Sequence, residues 1–242
     1  MQNLLRTVAL LVLKVISRAF YSHDIRWLDG EPNRHWDDIR ILVFLNHTSL
    51  YEWLFAGSAP NRLLRRIATS AYIPVADITI ERPFYGRFLK TLAPKFVSIT
   101  REPDHTWQAV LDTMDEDSMV IIFPEGRMKR ANGLDKHGNP MTVRGGISDL
   151  LRALPDGRMM LAYSGGLHHV QVPGQKLPKL FRKIRISFEF EDIERYRNEM
   201  LAAASEGADF KKVVKLDLEQ RRDLHCGDGA PEQVSATPDS GS

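Results

Sequence analysis

Apolar positions along the chain fall into two periods. From Leu4 to Phe20, the residues Leu4, Leu5, Val8, Leu11, Val12, Val15, Ile16 and Ala19 recur at helical spacing, while Arg6, Thr7, Lys14, Ser17 and Arg18 gather on the other side. This pattern predicts an amphipathic helix, with Leu10 and Leu13 intruding on its polar side. Three cations and no acid suit a helix lying in a membrane interface with its basic side chains toward headgroups. The stretch is also nearly long enough to span a bilayer, and a helix packed on its own domain would show the same periodicity. No small-x-small cleavage site follows, which argues against a removed signal peptide.

Beyond the turn residues Gly30-Glu31-Pro32-Asn33 the period shortens. Ile39 to Leu45 is the first predicted strand, and an apolar helix follows Glu52 until Gly57 and Pro60 stop it. Ile67 to Val75 alternates weakly as a strand, and Phe84 to Thr91 reads as a short helix ended by Pro94. Phe96 to Thr100 is a strand with Arg101 at its exit, and Trp107 to Met114 an amphipathic helix. Met119 to Phe123 is the clearest buried strand, and Met159 to Ala162 and Ile184 to Phe190 are later ones. Strands alternating with helices predict an α/β fold with a mixed, mostly parallel sheet flanked by helices, preceded by the N-terminal amphipathic, membrane-associated helix. The organisation expected is that helix over 1–22, the α/β domain over 23–200, a C-terminal helix over 201–225 and a disordered tail over 226–242.

Composition adds exclusions. The chain has 242 residues, 43% hydrophobic and 26% charged, enough to bury a core as one domain. Its 33 Lys and Arg against 31 Asp and Glu leave a formal charge of +2, too balanced to argue for nucleic-acid binding. Basic residues nevertheless gather in Arg62 to Arg66, Arg127 to Arg130 and Lys176 to Arg185. The single cysteine, Cys226, excludes an internal disulfide, and its place at the start of a Gly-, Pro- and Ser-rich tail argues against a thiol nucleophile. Neither a CxxC pair nor His-Glu-x-x-His occurs, so no metal site is expected.

Two strand ends carry candidate chemistry. The strand ending at Leu45 runs into Asn46-His47-Thr48-Ser49-Leu50-Tyr51-Glu52, and ligand sites of α/β sheets lie beyond the carboxyl ends of strands. Residues five apart on a helix point about 140° from each other, so His47 and Glu52 meet only if the chain turns between them, with Thr48 and Ser49 as helix N-cap residues. Two readings fit. In one, Glu52 accepts from one ring nitrogen of His47 and leaves the other as a general base. In the other, Ser49-x-x-Glu52 is a capping box and His47 a loop histidine. The second strand end, Phe123-Pro124-Glu125-Gly126-Arg127, suits an anion site: Gly126 permits close approach to the backbone, Arg127 offers a planar fork, and Glu125 can hold that arginine or a substrate hydroxyl. A tight turn with a surface ion pair would look the same.

Together these elements resemble the glycerolipid acyltransferase family, of which the 1-acylglycerol-3-phosphate O-acyltransferases are the best-known type. Its Asn-His-x-x-x-x-Asp motif is matched by Asn46-His47 and, one methylene longer, Glu52. Arg101 matches the arginine ending its second motif, Phe123 to Arg127 match its Phe-Pro-Glu-Gly motif, and Arg144-Gly145-Gly146 is similar to the basic-Gly-small step that follows. The likeness covers roughly Ile39 to Leu167. Glu52 departs from the usual Asp, and Leu161-Ala162-Tyr163-Ser164-Gly165-Gly166 occupies the place of the fourth motif, an apolar strand ending in Val-Pro. His168-His169, just beyond, read as a solvated turn.

The resemblance implies transfer of a fatty acyl chain from an acyl-CoA or acyl carrier protein thioester to the hydroxyl of a lysophospholipid. His47 and Glu52 would be catalytic, Arg101, Glu125, Gly126 and Arg127 substrate-binding, with Glu125 ordering the two arginines and backbone N–H groups near Gly126 covering the oxyanion. It implies no metal or other cofactor, no nucleic acid, and work at the cytoplasmic face of a membrane as a peripheral or monotopic protein. The rival expectations are a hydrolase using the same pair with water as acceptor, and a non-catalytic peripheral lipid-binding protein.

Overall fold

The computed structural model describes residues 1–30, 36–76, 91–99, 105–112, 114–115, 117–172, 175, 177–204 and 207–226. Helix α1 (Gln2–Phe20) leads into strand β1 (Ser22–Trp27), followed by β2 (Ile39–Leu45), a 3-10 helix (Glu52–Gly57), α2 (Asn61–Ser70), β3 (Ala71–Ala76) and β4 (Lys95–Ile99). Then come α3 (His105–Asp112), β5 (Met119–Ile122), α4 (Gly146–Ala153), β6 (Arg158–Ser164), β7 (Lys183–Asp192), α5 (Ile193–Ala204) and α6 (Phe210–His225).

The seven strands form one sheet in the order β1-β7-β6-β2-β5-β3-β4. Strands β6, β2, β5, β3 and β4 run parallel, while β7 pairs antiparallel with β6 and carries β1 parallel to itself. The expected mixed, mostly parallel sheet is therefore present.

Central β2 is buried at all seven positions, because helices cover both sheet faces and leave no face for polar alternation. Its side chains still divide by period two. Leu42 and Phe44 join Ile121, Met160 and Ala162 under α1, α2 and the 3-10 helix. Ile41, Val43 and Leu45 join Val120, Met159, Leu161 and Tyr163 under α4, α5 and α6. With both faces closed, the carboxyl edge of the parallel strands is where polar side chains can collect.

Several boundaries differ from the sequence expectation. Residues 67–70 finish α2 rather than starting a strand, since Leu63, Leu64 and Ala68 place one apolar stripe on the core. The edge strand β1 carries no apolar run because it is only half covered. One C-terminal helix over 201–225 is instead α5 and α6, separated at Gly207, which has φ +98°. Cys226, read as the start of the tail, is buried against Leu45 at the end of α6. The helix expected over Phe84 to Thr91, apart from Thr91, and the site residue Arg101 lie outside the described residues.

Helix α1 reverses the expected orientation. Leu10, Leu13 and Ser17, on its nominally polar side, are the residues buried against the domain. Lys14 and Arg18, expected toward headgroups, bind main-chain oxygens of the domain, while Leu5 (62% exposed), Val15 (67%), Leu4, Val8 and Val12 face outward. Among the described residues no helix is long and apolar enough to cross a membrane, so the spanning reading of α1 fails.

Candidate active site

Asn46 ends β2 at φ +65°, in the left-handed region that Asn tolerates better than most residues. Its Nδ2 donates to the Ser164 carbonyl at 2.9 Å, tying the end of β2 to the end of β6. This kink turns the chain so that His47 and Glu52 meet: His47 Nδ1 is hydrogen-bonded to Glu52 Oε2. The other carboxylate oxygen, Oε1, accepts from Thr48 N at 2.9 Å and more distantly from Ser49 N at 3.5 Å. One side chain therefore both holds the imidazole and ties down the main chain of the turn before the short helix.

The turn itself is built differently from the expectation. Ser49 is not a helix N-cap; its Oγ accepts from Tyr51 N at 3.1 Å and donates to Gln171 Oε1 at 2.7 Å. Thr48 Oγ1 accepts from Leu167 N at 2.8 Å. The 3-10 helix begins at Glu52, with Tyr51 in the cap position.

Glu125 holds the histidine's main chain. Its Oε2 accepts from His47 N at 2.8 Å and its Oε1 from Asn46 N at 3.2 Å, while Arg222 Nη1 of α6 approaches Oε1 at 3.3 Å. The expectation that Glu125 orders Arg127 is therefore corrected: Arg127 Nη1 turns to Asp135, whose carboxylate also accepts from His137 N and Asn139 N. Those contacts hold the Asp135 carboxyl well below the ordinary carboxylate range, led by the Asn139 N–H and opposed by burial.

Gly126 has φ +64°, and its N–H donates to Phe123 O at 2.9 Å, closing the turn. That donor is spent within the turn, so the expected oxyanion role does not fall to Gly126 N–H. A Cβ at Gly126 would stand 3.0 Å from Arg144 Cδ and Nε, which explains glycine here. Loop residue Lys129 donates its N–H to His47 O at 2.7 Å, and its own carbonyl accepts from His168 Nε2 at 2.8 Å. Half-buried His168 thus ties the turn after β6 to the loop after β5, while His169 is exposed in that turn as expected.

Electrostatics follow from this geometry. Burial pulls the His47 imidazole down, but the Glu52 charge and hydrogen bond, with Glu125 beyond, outweigh it and raise His47 above its ordinary value. Burial raises the Glu125 carboxyl, against the lowering pull of the His47 N–H and of Arg222. His47 remains 19% exposed, and its Nε2 has no hydrogen-bond partner among the described residues. The ring also stacks obliquely beside Phe123, at 5.0 Å between centroids. Among the described residues no His, Cys, Asp and Glu group could hold a metal ion.

A carboxylate-held imidazole with one open nitrogen thus stands at the carboxyl edge of a covered α/β sheet, where ligand sites of such sheets lie. The model of the Acyltransferase family matches residues 30–166, more than half the chain, and the protein belongs to that family. Among solved structures, the chain is similar in fold to PlsC, the 1-acyl-sn-glycerophosphate (LPA) acyltransferase from Thermotoga maritima. The TM-score is 0.55 and the identity 14%, covering 96% of this chain and 82% of that one. No curated protein matches the chain by sequence.

Arg222, Gln171 and Leu167 N had no signal in the sequence as site components. They reach it only because α6 and the turn after β6 fold back over β2.

Proposed function

We propose that the protein transfers a fatty acyl chain from a thioester, carried on coenzyme A or acyl carrier protein, to the free hydroxyl of a lysophospholipid, 1-acylglycerol-3-phosphate being the first candidate. The observation that carries this reading is the His47–Glu52 contact, made while Glu125 clamps the His47 main chain. A mere capping glutamate would leave the ring unbound.

In the reaction, His47 Nε2 takes the proton of the acceptor hydroxyl as its oxygen attacks the thioester carbonyl carbon. Glu52 holds the Nδ1–H tautomer and stabilises the imidazolium that forms. The tetrahedral intermediate collapses with cleavage of the C–S bond, and the departing thiolate takes the proton back from His47. The acceptor oxygen is itself the nucleophile, so the step requires no acyl-enzyme and no cofactor. Arg127, steadied on its Nη1 side by Asp135, and Arg101 bind the acceptor phosphate.

Both substrates carry long apolar tails, and α1 presents an outward apolar side that Phe181 extends through its contact with Phe20, 6.1 Å between centroids. This surface lies in the membrane interface, at the cytoplasmic face, as a peripheral or monotopic attachment.

Acyl transfer from a labelled thioester to a panel of lysolipids, wild type against His47→Ala, tests the reading. Loss of at least ~10²-fold is expected, the scale of a general base. Equal turnover by the variant removes it; fatty acid release without any lysolipid would make the protein a hydrolase instead.

A further inference from the structure

Side chains on the inward side of α1 serve main-chain carbonyls of the segment that starts at Glu52. Ser17 Oγ, fully buried, donates to Leu54 O at 2.6 Å. Arg18 Nε donates to Gly57 O at 2.8 Å, and Lys14 Nζ donates to Ala59 O and Asn61 Oδ1, each at 2.7 Å. His23 adds a cross-link, with Nε2 at 3.1 Å from Ser17 Oγ and Nδ1 at 2.8 Å from Ser58 Oγ. Because the Ser17 hydroxyl donates to Leu54 O, His23 Nε2 carries the proton to Ser17, and burial lowers the imidazole, favouring the neutral form in which Nδ1 accepts from Ser58. Packing is tight enough that a Cβ at Gly57 would lie 2.3 Å from His23 Nε2.

A six-residue 3-10 helix does not hold its own shape. Its hydrogen bonds are poorly aligned, its last carbonyls lack intrahelical donors, and so short a helix is unstable alone. Glu52 is its first residue, anchored in front by Thr48 N. What anchors the body of that helix from behind is α1.

We propose that Ser17 and Arg18 are positioning residues for the His47–Glu52 pair: by capping Leu54 O and Gly57 O they fix the short helix that carries the carboxylate. The helix that turns its apolar side to lipid thus aligns the catalytic pair with its other side. Only the catalytic consequence rests on the acyl-transfer reading; the alignment is geometric.

The test uses the full chain with Ser17→Ala, Arg18→Met and Arg18→Lys, reading the His47 imidazole titration by NMR beside kcat and KM. His47 faces Glu52 from its own segment and Glu125 from the turn after β5, with Arg222 behind Glu125. Losing the Arg18 charge alone would raise the His47 titration, whereas a Glu52 that has drifted away lowers it, so the sign separates the two effects. The expected result for Ser17→Ala and Arg18→Met is a downward shift of roughly half a pH unit or more. With it comes a kcat about 10-fold lower at little-changed KM, as misplacement of a catalytic group produces. Arg18→Lys should recover part of both.

Arg18 is exposed, so its variant folds even if Ser17→Ala does not. A wild-type His47 titration in folded Arg18→Met overturns the proposal, as does an equal shift in Val214→Ala, a core truncation in α6. A shifted titration in a protein whose wild type transfers no acyl group would retain the positioning and remove the acyl-transfer reading.

Discussion

Glu125 accepts the N–H of His47 at 2.8 Å across 78 residues of sequence, so the turn after β5 sets where the imidazole at the end of β2 stands. Neither residue's side chain touches the other's for this purpose; the carboxylate grips main chain. Its side chain has no exposed surface, and Arg222 Nη1 stands 3.3 Å from it as a countercharge. Glu125→Gln keeps the volume but loses the negative charge facing Arg222 and one of the acceptors. The expected cost is about 2 kcal/mol in urea unfolding, the scale of a buried hydrogen bond to a charged group, with kcat falling more than KM rises.

Glu52→Gln separates orientation from charge. The wild-type base works only when neutral, so the rate should climb with pH through a value above the ordinary ~6.5 of imidazole, because Glu52 and Glu125 raise His47. Removing the Glu52 charge takes away the larger raising influence. The acid limb of the kcat profile should move to lower pH while the plateau drops by ~10²-fold or more, since the amide holds the wrong tautomer. An unmoved limb would remove Glu52 as the partner that sets His47.

Asn46 tests the kink. At φ +65°, Asn46→Ala takes on left-handed strain of about 1–2 kcal/mol and loses the bond to Ser164 O, worth about 1 kcal/mol. Asn46→Gly loses only the bond. Urea midpoints should therefore rank wild type, Asn46→Gly, Asn46→Ala, at constant m-value.

Arg127 tests acceptor recognition. With one side of its guanidinium on Asp135, Arg127→Met should raise KM for a phosphate-bearing lysolipid by roughly 10-fold or more, and much less for one lacking phosphate. An equal effect on both acceptors would make Arg127 a brace for the 127–139 loop alone.

Leu5→Asp with Val12→Asp places two charges on the outward side of α1, where both residues are exposed. Sedimentation with phosphatidylcholine and phosphatidylglycerol vesicles should show loss of binding. The melting temperature should barely move, since exposed substitutions shift stability within about 0.5 kcal/mol.

The sheet's central strands were legible because two-sided burial writes itself as apolar runs, Ile41 to Leu45 in β2 and all of β5. Edge strand β1, Ser-His-Asp-Ile-Arg-Trp, was not, because half of it faces solvent and no period distinguishes it. The boundary between α2 and β3 was blurred for a related reason: apolar residues near a helix end fit either period until the core is known.

The site divides along similar lines. Sequence determined that an imidazole and a carboxylate stand at the end of a buried strand, that Phe-Pro-Glu-Gly ends another, and that α1 is amphipathic. These are consequences of local order, readable one segment at a time. Only the tertiary structure decided that Glu125 grips the His47 main chain and leaves Arg127 to Asp135. It also decided that Cys226 packs against Leu45, and that α1 points its polar side inward onto the Glu52 helix. Hydrogen-bond partners far apart in sequence are chosen by which strands neighbour each other and which faces the helices close, and a one-dimensional pattern carries no record of that choice.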